Sequence, residues 1–588
     1  MVEVLKEKVE KVVKKLYDLK LPEKAKFEIP KNKSYGDAST NISFLLAKTL
    51  RKNPKDIAQE IAGKLQEDEI FEKVEVINNF INVKYSPKYY SYLLSEINKP
   101  YFFLESVKEI SLKGKIQYEY VSANPTGPLH LGHARGAIIG DVLTTILKRA
   151  KEHLSLDYQL DREFYINDAG RQVKLLTASV LLRIFTLDKN DLSWEELITS
   201  LKDNEEFLNY LKEIGITLEE LKEEGYRGDY IKEIAQEYLK NYKKINISDL
   251  EKFSLNWALN NIKKDLKDLG VEFDIFFSEK SLYKGKDFKE ALDLLKPYIY
   301  EKEGALWLKT SLFGDDKDRV LRKSNGDWTY FAGDIAYHYS KLKRGYTKII
   351  NIWGHDHHGY VKRLKIATFL LDCLLNNKNP EEEFKNIKNI DNYQKLNVIL
   401  VQLVKLFRNG QEVKMSKRKG TFVTLRELLN EVGKDAIRFI FLTKSHETPL
   451  DFDIELAKKE ANENPVYYVK YAHARIASIL RKAKNEFDLD WNLDRFNPEI
   501  LNEEEKNLLK NLFFAKEIIK RTIQKQAPHL IPYYLLDLAS AFHKYYSSCK
   551  ILGNEKELTI NRLILISAIK KVLKELLDIL KVNAPEKM

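Results

Sequence analysis

The chain has 588 residues, 44% hydrophobic and 31% charged, the balance of a folded globular protein too long for one core and suited to roughly three to four domains. No apolar run reaches the roughly 18 residues that span a bilayer, and the opening MVEVLKEKVEKVVKKLYDLK is amphipathic and mixed in charge, unlike a secretory signal. Two cysteines, Cys373 and Cys549, exclude a disulfide framework and a cysteine-rich zinc site, which makes the cytoplasm the default; the net charge of +11 suits a polyanionic partner but also follows from a Lys-rich composition alone.

Residues 1–112 read as a small α/β unit. An opening helix leads to a turn-rich stretch from Pro30 to Gly36, helical segments around Leu45–Leu50 and Ile57–Leu65, and one strand-like alternation over Val74–Val83. Residues 113–460 have α/β character. Ile116, Tyr118 and Tyr120 alternate as in a strand, and a Gly/Pro-rich loop, Ser122–Gly132, follows. A helix then places Ile139, Val142, Leu143 and Ile146 on one face. A second strand–loop–helix unit runs through Lys348–Trp353, GHDHHGY and a helix to Phe369. The largely helical, charged stretch between them, such as Trp194–Lys244, reads as an insertion into a parallel sheet. Val398–Phe407 reads as a late strand, Asn409-Gly410 as a tight turn, and Thr424 with Glu427 as a capping box that opens a helix. Residues 461–588 are all-helical. Leu535, Leu538, Ala539, Phe542 and Tyr546 line one helix, and Ile566, Ile569, Leu573, Leu576, Leu577 and Leu580 another, as stripes of bundle core.

Two segments carry chemistry. In VSANPTGPLHLGHARGAIIGD, Val121–Asp141, a strand opens into a loop whose Gly127, Gly132 and Gly136 allow close backbone approach, and a helix starts at once. Such a helix start attracts phosphate through unpaired N–H groups and the helix dipole. His130 and His133 can face one ligand from the first turn and stabilise charge on an α-phosphate, or can form half of a metal site. In KMSKRKG, Lys414–Gly420, Lys414 and Lys417 are point charges suited to the outer phosphates of ATP; an isolated cluster of this kind is also an ordinary solvated loop. The cluster His355-Asp-His-His358 by itself invites a metal-hydrolase reading.

HLGH after the first strand and KMSKR after a late one together resemble the paired signature of class I aminoacyl-tRNA synthetases. Longer stretches are similar to the arginyl-tRNA synthetases: Val121–Asp141 with REFYINDAG (Arg162–Gly170), DWTYFAGDIAYH (Asp327–His338), WGHDHHGY (Trp353–Tyr360), Val423–Phe439, Asn462–Ile476 and the closing VNAPEKM. The resemblance implies a Rossmann-type parallel-sheet catalytic domain with insertions, preceded by a small α/β domain and followed by an all-α helical bundle. It implies ATP with Mg²⁺, L-arginine and tRNA-Arg, with no other metal, no membrane and a monomer. ATP falls to His130, Gly132, His133, Lys414, Met415, Ser416 and Lys417, of which His130, His133, Lys414 and Lys417 are catalytic. Arginine falls to Ser122, Ala123, Asn124, His133, Glu279, Tyr330, Asp334 and Asp356, the last at a place in GHDHHG that a neighbour could fill. In the family the N-terminal domain contacts the outer corner of the tRNA and the helical domain binds the anticodon. Tyr467, Tyr468, Lys470, Tyr471, His473 and Arg475 alternate aromatics with cations there, as base stacking requires, or form a plain basic helix face. The family also requires bound tRNA before it activates the amino acid. Three other readings remain: a class I synthetase for another amino acid, a metal-dependent nucleic-acid hydrolase, and a noncatalytic RNA-binding relative.

Overall fold

A computed structural model of the protein describes residues 2–30, 32–189, 191–413 and 423–588. The opening helix, Val2–Tyr17, buries Val4, Leu5, Val9 and Val13, the stripe its sequence spacing gives. It packs in a unit whose four-stranded sheet has the order β1-β2-β4-β3, with β1 Phe27–Glu28, β2 Ala38–Thr40, β3 Phe71–Ile77 and β4 Phe80–Tyr85. The single strand expected over Val74–Val83 is corrected to the β3–β4 hairpin. Asn78 and Asn79 both take positive φ, 50° and 64°, the left-handed pair of a two-residue turn that asparagine tolerates.

The central sheet has the order β12-β11-β5-β6-β7, all parallel, from β5 Gly114–Glu119, β6 Tyr158–Ile166, β7 Ile275–Ser278, β11 Tyr346–Gly354 and β12 Leu396–Val401. β5 lies in the middle, so Ile116 through Glu119 are buried without alternation. The order reverses beside β5, where open α/β sheets form a crevice at the strands' carboxyl ends. The helical insertion predicted from the charged stretch lies between β6 and β7, from Arg171–Phe185 to Ile247–Leu269. A second insertion is an antiparallel sheet of β8 Ile299–Lys302, β9 Ala305–Leu308 and β10 Arg319–Arg322.

The late strand expected over Val398–Phe407 is two strands in different sheets. β12 ends at Val401, and β13 Val404–Arg408 joins β14 Gln411–Glu412 and β15 Leu450–Asp453. The break falls at Gln402, whose N–H donates to His446 O and whose carbonyl accepts from the buried Arg135, so neither group continues a ladder. Asn409 and Gly410, at φ 51° and 75°, form the expected turn.

From Pro465 the chain is helical to Ile579. Leu535, Leu538, Ala539 and Phe542 are core, but Tyr546 is 37% exposed and leaves that stripe. Tyr545 takes the buried place, its hydroxyl donating to Glu505. The C-terminal end of the helical region is tied to a fully buried pair between two preceding helices, Arg438 Nη2 to Asp141 Oδ2 at 2.6 Å: Lys581 donates to Asp141 and Leu580 O accepts from Arg438. Among the described residues no helix is long and apolar enough to cross a membrane.

Candidate active site

The crevice at the end of β5 begins with two strained residues. Val121 and Ser122 have φ of 71° and 40°, unfavourable for residues with a Cβ and for a β-branched one above all. Ser122 is held there by donating to Glu119 Oε1 at 2.9 Å and accepting from Tyr165 N at 3.2 Å. Ala123 is buried beside it, and Asn124 Nδ2 donates to Gln172.

His130 is the N-cap of the Leu131–Leu154 helix and His133 its third residue. His130 Nδ1 accepts from Gly132 N at 3.2 Å, His133 Nδ1 accepts from His130 N at 3.3 Å, and the two rings stack with centroids 3.7 Å apart. A ring nitrogen that accepts carries no proton, so in the neutral rings the proton sits on Nε2 of both. Gly132 makes this fold-back fit: a Cβ there would lie 3.1 Å from His130 Cε1. The histidines therefore cap the helix start and present N–H donors, the arrangement expected of a phosphate site.

Lys414, Met415, Ser416 and Lys417 lie outside the described residues. The chain is described again from Val423, and Thr424 bridges directly to His130 while Leu425 N donates to Leu129 O. Thr424 and Glu427 form the expected capping box. The basic segment is thus followed at once by a contact with the histidine motif.

The opposite wall is acidic. Asp334 projects from the Tyr330–Lys343 helix and accepts a hydrogen bond from Tyr360 Oη. Glu279, 8% exposed, follows β7, with Oε1 3.5 Å from Tyr283 Oη and Oε2 lacking any hydrogen-bond partner. Burial pushes the Asp334 carboxyl up to about 7, with Glu119 adding to the rise and Tyr360 and Lys341 opposing it. Burial, then the charges of Asp334 and Asp168, push Glu279 up to about 7 as well. Two buried carboxyls held up by desolvation, with the charge of Asp334 adding to the rise at Glu279, mark a place where a cation is wanted. Gly333 leaves the space between them and the helix, since a Cβ there would lie 3.1 Å from Tyr283 Oη and 3.9 Å from Glu279 Oε1.

Tyr330 is placed differently from the rest of the expected pocket. It is 77% exposed at the first turn of its helix, and Tyr360 is the phenol that touches Asp334. Asp356 is exposed in the His355–His357 turn, 3.7 Å from His357 Nε2. No three His, Cys, Asp or Glu side chains among the described residues converge as metal donors. Sequence reasoning passed over Tyr360, although WGHDHHGY contains it, and over Asp168, whose carboxylate anchors Ser278 Oγ and Lys280 N on both sides of Glu279. A tyrosine and an aspartate inside quoted motifs were the available signals.

On the helical region, Tyr467 and Tyr471 stack, and Arg475 lies over both Tyr471 and Tyr546. His543 lies beside Tyr468 and Tyr471. Two of the expected residues face elsewhere: Lys470 pairs with Asp435, and His473 is buried against Pro585 O. Tyr546 and His543 come from another helix, which no local pattern in the sequence links to Tyr471.

Three family models match the chain: "Arginyl tRNA synthetase N terminal domain" over residues 3–85, "tRNA synthetases class I (R), catalytic domain" over 104–491, and "DALR anticodon binding domain" over 469–588. The chain is 45% identical to the arginine–tRNA ligase of Aquifex aeolicus, with 100% of each covered. It is 40% identical to that of Lawsonia intracellularis, with 96% of each covered. Among solved structures, arginyl-tRNA synthetase of Thermus thermophilus shares the fold at a TM-score of 0.66 and 22% identity, over 100% of both chains.

Proposed function

The chain belongs to the arginyl-tRNA synthetase family, and from that premise we propose that the arginine guanidinium is held between Asp334 and Glu279, with the reacting phosphate of ATP at His130 and His133. The enzyme is an arginine–tRNA ligase of class I, with a catalytic domain and an anticodon-binding domain. ATP, arginine and tRNA-Arg are its substrates.

The observation that carries the pocket is the acidic pair itself. A guanidinium taken from water needs acceptors in a planar fork, and Glu279 Oε2 is a buried acceptor with no partner. Ser122, Ala123, Asn124 and His133 are taken together as the end of the pocket opposite the acidic pair. They are assigned to the α-amino and carboxylate groups. Tyr330 and Asp356 are exposed and are assigned to arginine by the family resemblance.

The arginine carboxylate oxygen attacks the α-phosphorus of ATP. A new O–P bond forms as the bond to pyrophosphate breaks. The Nε2–H groups of His130 and His133 neutralise charge on the phosphoryl oxygens, and the backbone N–H of Gly132 lies at the same helix start. Lys414 and Lys417, with Met415 and Ser416 between them, are assigned to the departing phosphates. The terminal ribose 2′-OH of the tRNA then attacks the acyl carbon and AMP leaves. No covalent nucleophile or single general base is required. Mg²⁺ is assigned to the triphosphate: no converging group among the described residues would cage it, as is usual for this ion on nucleotides. The reading also has tRNA bound before arginine is activated.

Three domains are assigned, 1–112, 113–460 and 461–588, the first to the outer corner of the tRNA. The aromatic and cationic cluster of Tyr467, Tyr471, Arg475, Tyr546 and His543 is assigned to stacking of anticodon bases. A cytoplasmic monomer is the proposed state.

The test is a titration of arginine against the wild type and Asp334→Asn, with ATP and tRNA affinities measured alongside. Truncating one partner of a buried charged pair costs about 3–5 kcal/mol, roughly a hundred- to several-thousandfold in arginine affinity. A loss of less than about threefold, below 1 kcal/mol, would put the guanidinium elsewhere.

A further inference from the structure

Behind the pocket runs a buried chain of polar side chains that includes neither His130 nor His133. Lys341 lies three helical positions past His338, on the same helix as Asp334, and its side chain is 0% exposed. Its ammonium donates to Glu119 Oε2 at 2.6 Å and to Asn351 Oδ1 at 3.0 Å. Asn351, in β11, therefore turns its Nδ2 toward His338 Nε2, 2.9 Å away. With Nε2 accepting, His338 keeps its proton on Nδ1, which donates to the carbonyl of Asp334 at 2.8 Å. At the other end Glu119 Oε1 accepts from Ser122 Oγ at 2.9 Å, which fixes the residue at φ 40°. The ammonium can only donate and the carboxylate only accept, and these two fix the roles of Asn351, His338 and Ser122 in turn.

This chain runs from Ser122 to the main-chain carbonyl of Asp334, and these two residues are the ones assigned to the two ends of the proposed arginine pocket. Ser122 stands where the α-amino and carboxylate groups are assigned, and Asp334 where the guanidinium is assigned. A rigid polar path between them sets their separation, and that separation decides how long a side chain fits. We propose that Lys341 is a positioning residue that fixes the distance between the Ser122 turn and Asp334, and so selects the side-chain length of the amino acid. This rests on the arginine-pocket reading above. A buried ion pair is in general weak evidence for stability, and its best-attested use is to specify one geometry.

The experiment compares kcat/KM for L-arginine with that for L-homoarginine, one methylene longer. The ratio is insensitive to any inactive fraction of enzyme. One methylene in a fitted pocket is worth about ten- to two-hundredfold. In Lys341→Met the ratio is expected to fall at least about fivefold, with a higher KM for arginine and an unchanged KM for ATP. Asn351→Leu cuts the same chain without stranding a charge, is expected to lower the ratio likewise, and decides the matter if Lys341→Met does not fold. A wild-type ratio in a folded variant overturns the proposal, because it would leave Lys341 a purely structural partner of Glu119. Asp334→Asn, run beside them, separates the two failures. If it loses arginine affinity while the ratios stay at the wild-type value, only the positioning role falls. If it binds arginine normally, the pocket reading falls and the proposal with it.

Discussion

At the scale of single residues, the protonation of a few side chains decides what the site does. His130 and His133 each spend Nδ1 on a backbone N–H, and this orients the remaining N–H of each ring. Replacing either with Ala removes one preorganised donor, a loss of about 3 kcal/mol in comparable sites. The adenylation rate should fall accordingly while arginine and tRNA binding stay near normal; near-normal rates in both variants would remove the phosphate role. The acidic pair makes arginine binding depend on pH. Both carboxyls are pushed up to about 7, chiefly by burial, and only their ionised forms bind a guanidinium well. Arginine affinity is therefore expected to fall roughly ten- to a hundredfold from pH 8 to pH 6, as measured by equilibrium titration. A flat profile over that range would contradict the pairing. The same shifts act on stability with the opposite sign to an ion-paired carboxylate. Between the ordinary values of 3.8 and 4.5 and about 7, the folded state holds protons that the unfolded chain has released. Without arginine, these two groups make stability fall as pH rises through that window, and bound arginine opposes the fall.

At the scale of elements, the parts proposed for catalysis sit where secondary structure begins or ends. The histidine motif is a helix start, Glu279 follows β7, and Asp334 is in the second turn of its helix. The Lys414–Lys417 segment follows the β13–β14 hairpin, and the next helix opens with Thr424 against His130. That contact sets the helix after the basic segment against the histidine motif, and the lysines are expected to act in the chemical step. Lys414→Ala and Lys417→Ala are expected to depress kcat and kcat/KM together. An unchanged kcat with only a raised KM for tRNA would make the segment an RNA-binding patch. These starts and ends were legible where local chemistry writes them: Thr424 with Glu427, Asn409-Gly410, and the apolar stripe from Ile139. Two boundaries were not. Asn78-Asn79 sits inside an unbroken strand alternation, and the Val401–Val404 break depends on Arg135, far away in sequence. Tertiary contact decided that break, not propensity.

At the scale of the whole molecule, a buried polar cluster ties the C-terminal end of the chain to the helices behind the crevice. Arg438, Asp141 and Lys581 join the helix that starts at the histidines, the helix that follows the basic segment, and the C-terminal end of the chain. The order of units and the parallel sheet were legible because insertions leave strand–loop–helix patterns intact. Of the proposed site, the part legible in the sequence was the one whose residues are neighbours in a single motif, HLGHARG. Tyr360, Lys341 and Tyr546 were not, because each acquires its role from a neighbour distant in sequence: Asp334, Glu119 and Arg475. The most direct test of the account is charging of unfractionated tRNA by the purified enzyme, with ATP and each of the twenty amino acids in turn. A pocket built on two unneutralised carboxylates predicts that arginine alone is joined to tRNA, lysine failing for want of a planar fork that reaches both acids. Equal charging with lysine or any other amino acid, or none with arginine, would contradict it.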